Sequence, residues 1–193
     1  MIDQLYREFK YWSKGGSVYI LSDLHLNDSD CKYMDPNWIS VEEQVHNIFN
    51  VLHYYDTFIC LGDVGDPKPL MDEWYRKKYY RKLCNRILIT GNHDNAAAKN
   101  TPFWTEVYDG PLFISPKIVL SHEPIYGLDW CMNIHGHDHN PNNKGDEHHL
   151  NVAANVIGYK PINLGAEIKR GLLRNCDGIH RYTIDRIKDE NKG

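Results

Sequence analysis

Ser17-Val18-Tyr19-Ile20-Leu21-Ser22-Asp23-Leu24-His25 is an apolar run, introduced by the turn pair Gly15-Gly16, that ends on a carboxylate and an imidazole two residues apart. The same grammar recurs along the chain. Thr57 to Leu61 runs into Gly62-Asp63, and Arg86 to Thr90 runs into Gly91-Asn92-His93-Asp94. Lys117 to Leu120 runs into Ser121-His122, and Met132 to His135 into Gly136-His137-Asp138-His139. Short apolar runs bounded by turn residues read as buried strands. The chemistry-bearing residues therefore stand at successive strand ends, where open α/β sheets bind their ligands.

The segments between these runs read as helices. Ser40 and Glu43 form a capping-box pattern, and Val45, Ile48, Phe49 and Leu52 follow at the spacing of a helix packed on a sheet. A second helix is expected from Pro69 to Leu83, with Pro67, Pro69, Asp72 and Glu73 suiting its start and Arg81 and Lys82 its end. Leu112 to Ser115 and Lys117 to Leu120 look like a hairpin. His149 to Val152 reads as a further strand and Pro161 to Arg170 as a helix. Asn140 to Glu147 reads as a surface loop, and the last twenty residues are polar, as in a frayed tail. Without a repeat, linker or low-complexity block, the reading is one α/β domain over residues 1–193.

Bulk properties narrow the class. With 41% hydrophobic and 25% charged residues, the chain has the composition of a globular protein. A net charge of −4 argues against a surface built to coat nucleic acid. The five cysteines, Cys31, Cys60, Cys84, Cys131 and Cys176, contain no C-x-x-C pair, which argues against a disulfide framework or a thiolate zinc site. Met1 to Lys10 carries four charged residues and no apolar leader core. No apolar run approaches a membrane span. The expectation is a cytoplasmic protein without membrane contact.

Asp23, His25, Asp63, Asn92, His122, His137 and His139 offer imidazole, carboxylate and one carboxamide, a set that suits Mn, Fe or Zn. A single zinc would be saturated by four of these groups. Two cations about 3.5–4 Å apart would use them all. The bland alternatives weigh against each fragment taken alone: Asp63 could cap a turn, Gly91-Asn92 is ordinary turn chemistry, and His122 could be a structural histidine. Taken together, the fragments favour the metal reading. Asp66 reads as a loop cap in preference to a support for the ligands, and His135 as a core or ligand-supporting residue in preference to a ligand. His46, His53, His148, His149 and His180 have no spacing that ties them to the set.

The motifs D-x-H, GD, GNHD, H and GH-x-H, running from Tyr19 to about Ile168, resemble those of the calcineurin-like metallophosphoesterase superfamily, and most closely its small cap-less bacterial and phage members. The resemblance implies a β-sandwich flanked by helices, with two divalent metals at the strand ends; Mn leads, with Fe, Zn, Ni and Co as alternatives. It implies that Asp23, His25 and His139 hold one ion, that Asn92, His122 and His137 hold the other, and that Asp63 bridges them. His93 would act as general acid or phosphate contact, with Asp94 orienting its imidazole. The implied reaction is hydrolysis of a small phosphodiester or phosphomonoester by a metal-bridging hydroxide.

Two alternatives accompany this reading. Trp74 to Arg86 interleaves Tyr with Lys and Arg, as single-strand binders do, so a nucleic-acid-directed phosphoesterase is one; a solvated helix face is the simpler explanation. A metal-binding scaffold that has lost catalysis is the other, although His93 and the whole ligand set are present. Where many small relatives have Gly-His after D-x-H, this chain has Leu26-Asn27-Asp28. No obvious arginine stands ready to grip a phosphate. Oligomeric state is not readable from the sequence.

Overall fold

The computed structural model describes residues 5–77 and 85–179. Two sheets pack face to face. The chain enters by a 3-10 turn over Arg7–Ser13 and then forms β1 (Val18–Leu21), the short α1 (Cys31–Met34), α2 (Val41–Val51), β2 (Thr57–Cys60), α3 (Lys68–Arg76) and β3 (Asn85–Ile89). There follow α4 (Ala96–Lys99), β4 (Glu106–Tyr108), β5 (Leu112–Ser115), β6 (Ile118–Leu120), β7 (Met132–His135), β8 (His149–Asn151), β9 (Ile162–Asn163) and α5 (Leu164–Lys169). The first sheet has the order β4-β3-β2-β1-β9 and the second β5-β6-β7-β8. Strands β1 to β4 run parallel and β9 closes the sheet antiparallel; β5 and β6 form the expected antiparallel pair, with β7 and β8 parallel to β6. This is the helix-flanked sandwich that the motifs implied.

Alternation explains why strands of the first sheet are buried on both faces. Ile20, Ile59, Ile87 and Ile89 point toward the second sheet and meet Ile118, Leu120, Met132 and Ile134. Their neighbours Leu21, Phe58, Cys60 and Leu88 point the other way, onto Val45, Ile48, Phe49 and Leu52 of α2. Each such large side chain contributes roughly 1.5–3 kcal/mol by leaving water. Ser40 caps α2, its Oγ accepting the Glu43 N–H at 3.1 Å.

Two helices differ from the sequence reading. The helix expected over 69–83 starts at Lys68 and closes at Lys77, where ψ of 81° leaves the helical region; Arg81 and Lys82 lie outside the described residues. The helix expected over 161–170 is a strand first. Ile162 and Asn163 add to the open edge of β1, and Asn163 then accepts the Ala166 N–H as the N-cap of α5. The capping side chain sets the helix start after itself. The three-residue edge strand β4 is too short to show a period.

The sheets are stitched at one end. Ser22, just past β1, donates its N–H to Val152 and accepts from Ala154, while its Oγ donates to Leu61 O. That end carries the carboxyl termini of β1, β2, β3, β6 and β7, and hence all five motifs.

Candidate metal centre

All seven candidate ligands converge here. His139 Nε2 lies 3.4 Å from Asp23 Oδ1, and the His25 and His139 rings are 5.2 Å apart. Asp63 Oδ2 lies 3.8 Å from His25 Nε2 and 3.3 Å from His122 Nε2. His122 Nε2 is 2.8 Å from Asn92 Oδ1 and 3.2 Å from His137 Nδ1. Two sets of donor atoms fall within 4.8 Å of one another: Asp23 with His25 and His139, and Asp23 with Asp63 and His122. Asn92 and His93 are exposed, and the His93 ring stands 5.9 Å from that of His25 at the rim.

The aspartates divide their oxygens between fold and site. Asp23 Oδ2 accepts the His137 N–H at 2.9 Å, and Asp63 Oδ1 accepts the His93 N–H at 2.9 Å. The other oxygens face the histidines. Asp23 Oδ1 and His25 Nε2 are buried with no hydrogen-bond partner. A buried polar atom left so is costly, and here two such atoms are aimed into one cluster. His122 Nδ1 lies 2.8 Å from Leu61 O and must donate to it, which turns the neutral ring's lone pair toward Asn92 Oδ1 and Asp63. On the neutral ring, lone pairs would face lone pairs, so the site calls for a cation between them, a proton on Nε2 or a metal ion in its place. The residues fit divalent metal ions.

Electrostatics agree. Burial works against the imidazolium of His122, yet Asp63, Asp23 and the Leu61 carbonyl outweigh it and lift its pKa to about 9. Asp23 likewise raises His139 against its burial. Burial lowers His25 despite Asp23 and Asp63. Burial would raise Asp63, but His122, the His93 N–H and His25 lower it.

The backbone is bent to make this cluster. Asp23, His25, Asp63 and His137 hold φ of 58°, 42°, 52° and 67°, in the left-handed region. Strain of this kind costs about 1–3 kcal/mol per residue and gathers at functional sites. Close approach demands glycine beside it. A Cβ on Gly136 would stand 2.1 Å from Asp23 Oδ2, and one on Gly91 would stand 2.3 Å from Asp63 Oδ1.

A family model for calcineurin-like phosphoesterases matches residues 16–143. The chain belongs to that family. Among curated proteins, it is 30% identical over 174 residues to uncharacterized protein MJ1445 of Methanocaldococcus jannaschii, covering 79% of this chain and 89% of that one. Among solved structures, the protein of unknown function AQ665 from Aquifex aeolicus shares the fold, with a TM-score of 0.61 and 24% identity over 80% of this chain and 98% of that one. Nuclease MPE of Pseudomonas putida aligns over 62% of this chain and 60% of its own, at 22% identity and a TM-score of 0.45.

Within this calcineurin-like site, Asp94 has work of its own. Its carboxylate accepts the N–H groups of Asp63 at 3.1 Å, Val64 at 2.9 Å and Gly91 at 2.8 Å. It staples the Gly62-Asp63 loop to the Gly91-Asn92 loop, which differs from the imidazole-orienting role that the resemblance implied. Asp66 caps its loop, accepting from Lys68 N and Asn27 Nδ2, and His135 is buried with Nδ1 at 2.8 Å from Gly136 O. Two supporting groups went unread in the sequence. Asp28 Oδ2 lies 3.6 Å from His25 Nδ1, and Asn155 contacts His139. Asp28 and Cys31 form a further donor set with His25, but burial pushes the Cys31 thiol up to about 12 and so away from the thiolate that a metal needs.

Proposed function

We propose that this protein is a binuclear-metal phosphoesterase acting on a small phosphodiester or phosphomonoester. The observation that carries the reading is Asp63 Oδ2, one carboxylate oxygen lying between His25 Nε2 and His122 Nε2. Those imidazoles head separate sets: Asp23, His25 and His139 on one side, and Asn92, His122 and His137 on the other. Asp63 is then the shared ligand. Mn is the favoured metal for this donor set, with Fe, Zn, Ni and Co as alternatives.

Two divalent cations, when bound, acidify water and neutralise phosphoryl charge, so no separate protein base is required. The chain supplies the frame and the proton. Main-chain bonds to Asp23 and Asp63 fix the carboxylates before substrate arrives, so no reorganisation is needed during reaction. His93, placed by its own N–H on Asp63 and exposed at the rim, donates a proton to the leaving oxygen.

The described surroundings favour a compact substrate over nucleic acid. Arg86 is buried, its guanidinium 4.4 Å from the Trp74 ring, and Arg76 and Lys77 reach back to Glu73. A groove of about 710 Å³ between α2 and α3 opens beside Asn27 and is lined by Glu42, Glu43, Asp72, Glu73 and Arg76, with Asp72 paired to Lys68 and Glu73 to Arg76 and Lys77.

The test is hydrolysis of bis-p-nitrophenyl phosphate and of p-nitrophenyl phosphate by metal-stripped protein resupplied with Mn, Zn, Ni or Mg. Turnover should depend on metal, and His93→Ala should lose it while retaining metal. Failure of every metal to restore turnover, with two ions bound per chain, would point to a narrow natural substrate or to the scaffold role.

A further inference from the structure

His139 is sixteen positions before Asn155, and the stitch between the sheets brings them together. The pairing of Ser22 with Val152 and Ala154 lays residues 152–155 along the Asp23 loop. Asn155 Nδ2 donates to the His139 carbonyl at 2.7 Å, and its Oδ1 lies 3.3 Å from His139 Nδ1. The carbonyl accepts only, which settles which end of the amide is nitrogen. Oδ1 in turn accepts only, so the hydrogen sits on Nδ1. The neutral ring then keeps its lone pair on Nε2, the atom 3.4 Å from the partnerless Asp23 Oδ1.

We propose that Asn155 is a positioning residue that sets the tautomer and orientation of His139 toward the ion held by Asp23, His25 and His139. The inference rests on the two-metal reading above. Each ligand histidine needs its far nitrogen occupied, because that contact fixes which nitrogen meets the metal. His122 uses the Leu61 carbonyl and His25 faces Asp28. His139 uses an amide, and an amide alone serves both the ring and the main chain of the same residue. An aspartate would still accept from Nδ1 but could not donate to the carbonyl. A leucine would do neither.

That asymmetry separates positioning of the ring from simple tethering of the loop. Metal-stripped wild type, Asn155→Leu, Asn155→Ser and Asn155→Asp are titrated with Mn by calorimetry, and bound metal is counted by elemental analysis. Melting of each metal-free variant reports its fold. Wild type should bind two ions. Asn155→Leu should keep one and bind the other about 10–100-fold more weakly. Asn155→Ser is a smaller change that should show the same loss should the leucine variant not fold. Asn155→Asp should retain both ions, since its carboxylate still holds Nδ1–H. Wild-type affinity for both ions in folded Asn155→Leu or Asn155→Ser would overturn the inference. Equal losses in the Asp and Leu variants would also overturn it, reducing Asn155 to a main-chain tether. Wild type that binds fewer than two ions would overturn the two-metal reading itself, an outcome visible before any variant is compared.

Discussion

Replacing Asp94 by alanine tests whether that carboxylate serves the fold or the chemistry. Its two oxygens accept three main-chain N–H groups, from Asp63, Val64 and Gly91, and the side chain is buried. Each lost hydrogen bond to a charged acceptor is worth about 1.5–3 kcal/mol, and donors left buried without a partner add to the cost. Gly91 N is only half-buried and water can reach it. The Asp63 and Val64 amides are enclosed. Counting those two in full and the third at about half gives a loss of about 4–7 kcal/mol for Asp94→Ala. For a chain of this length that lowers the melting temperature by roughly 8–28 °C. Asp94→Asn keeps one accepting oxygen and should fall between. The assay is urea unfolding of metal-free protein, followed by tryptophan fluorescence and by circular dichroism to check that the transitions coincide. Removing metal removes any effect routed through the reaction or through the ions. If Asp94→Ala unfolds within about 0.5 kcal/mol of wild type, the variation expected of an uninvolved surface site, and yet loses turnover, the staple argument is wrong. The carboxylate would then act on the His93 imidazole.

Further outcomes follow from the same geometry. Gly136→Ala should displace Asp23 and cut bound metal, since its Cβ would stand 2.1 Å from both Asp23 Oδ2 and Ser22 Oγ; full metal content by elemental analysis would contradict that packing. Asp63→Ala should lose metal affinity and turnover by more than the ~10–100-fold typical of groups that merely support a ligand. A fully active, metal-loaded Asp63→Ala would remove the bridging assignment. Metal should also stabilise the fold: at 100 times the dissociation constant, linkage contributes about 2.7 kcal/mol, roughly 5–11 °C in melting temperature. Scanning calorimetry of stripped protein with and without Mn or Zn checks this. An unchanged melting temperature would mean that the orphaned Asp23 and His25 atoms do not meet the ion.

Much of this was legible in the sequence because the strands are short, apolar and each closed by a polar motif. Thr57 to Cys60 and Met132 to His135 are buried along their whole length, so their apolar runs announce them. The helix over 41–51 shows its period and its cap in the same few residues. Segments whose structure is decided by a partner elsewhere stayed hidden. Ile162 and Asn163 become a strand because β1 has an open edge, a fact about strand order that no local window holds. The candidate ligands were readable for a similar reason: four of the five motifs pair a left-handed residue, or the glycine that permits a close approach, with a donor atom, Ser121-His122 being the exception. The supporting contacts were not. Asp94 sits inside a motif, yet its partners at Asp63 and Val64 are thirty residues away. Asn155 follows an unremarkable Val152-Ala153-Ala154, and it meets His139 because Ser22 draws that segment across the gap between the sheets. Donor identity is written locally in this chain, whereas donor orientation is written in contacts that exist only after the two sheets have closed. Metal affinity should accordingly respond to substitutions at the stitch as well as at the ligands.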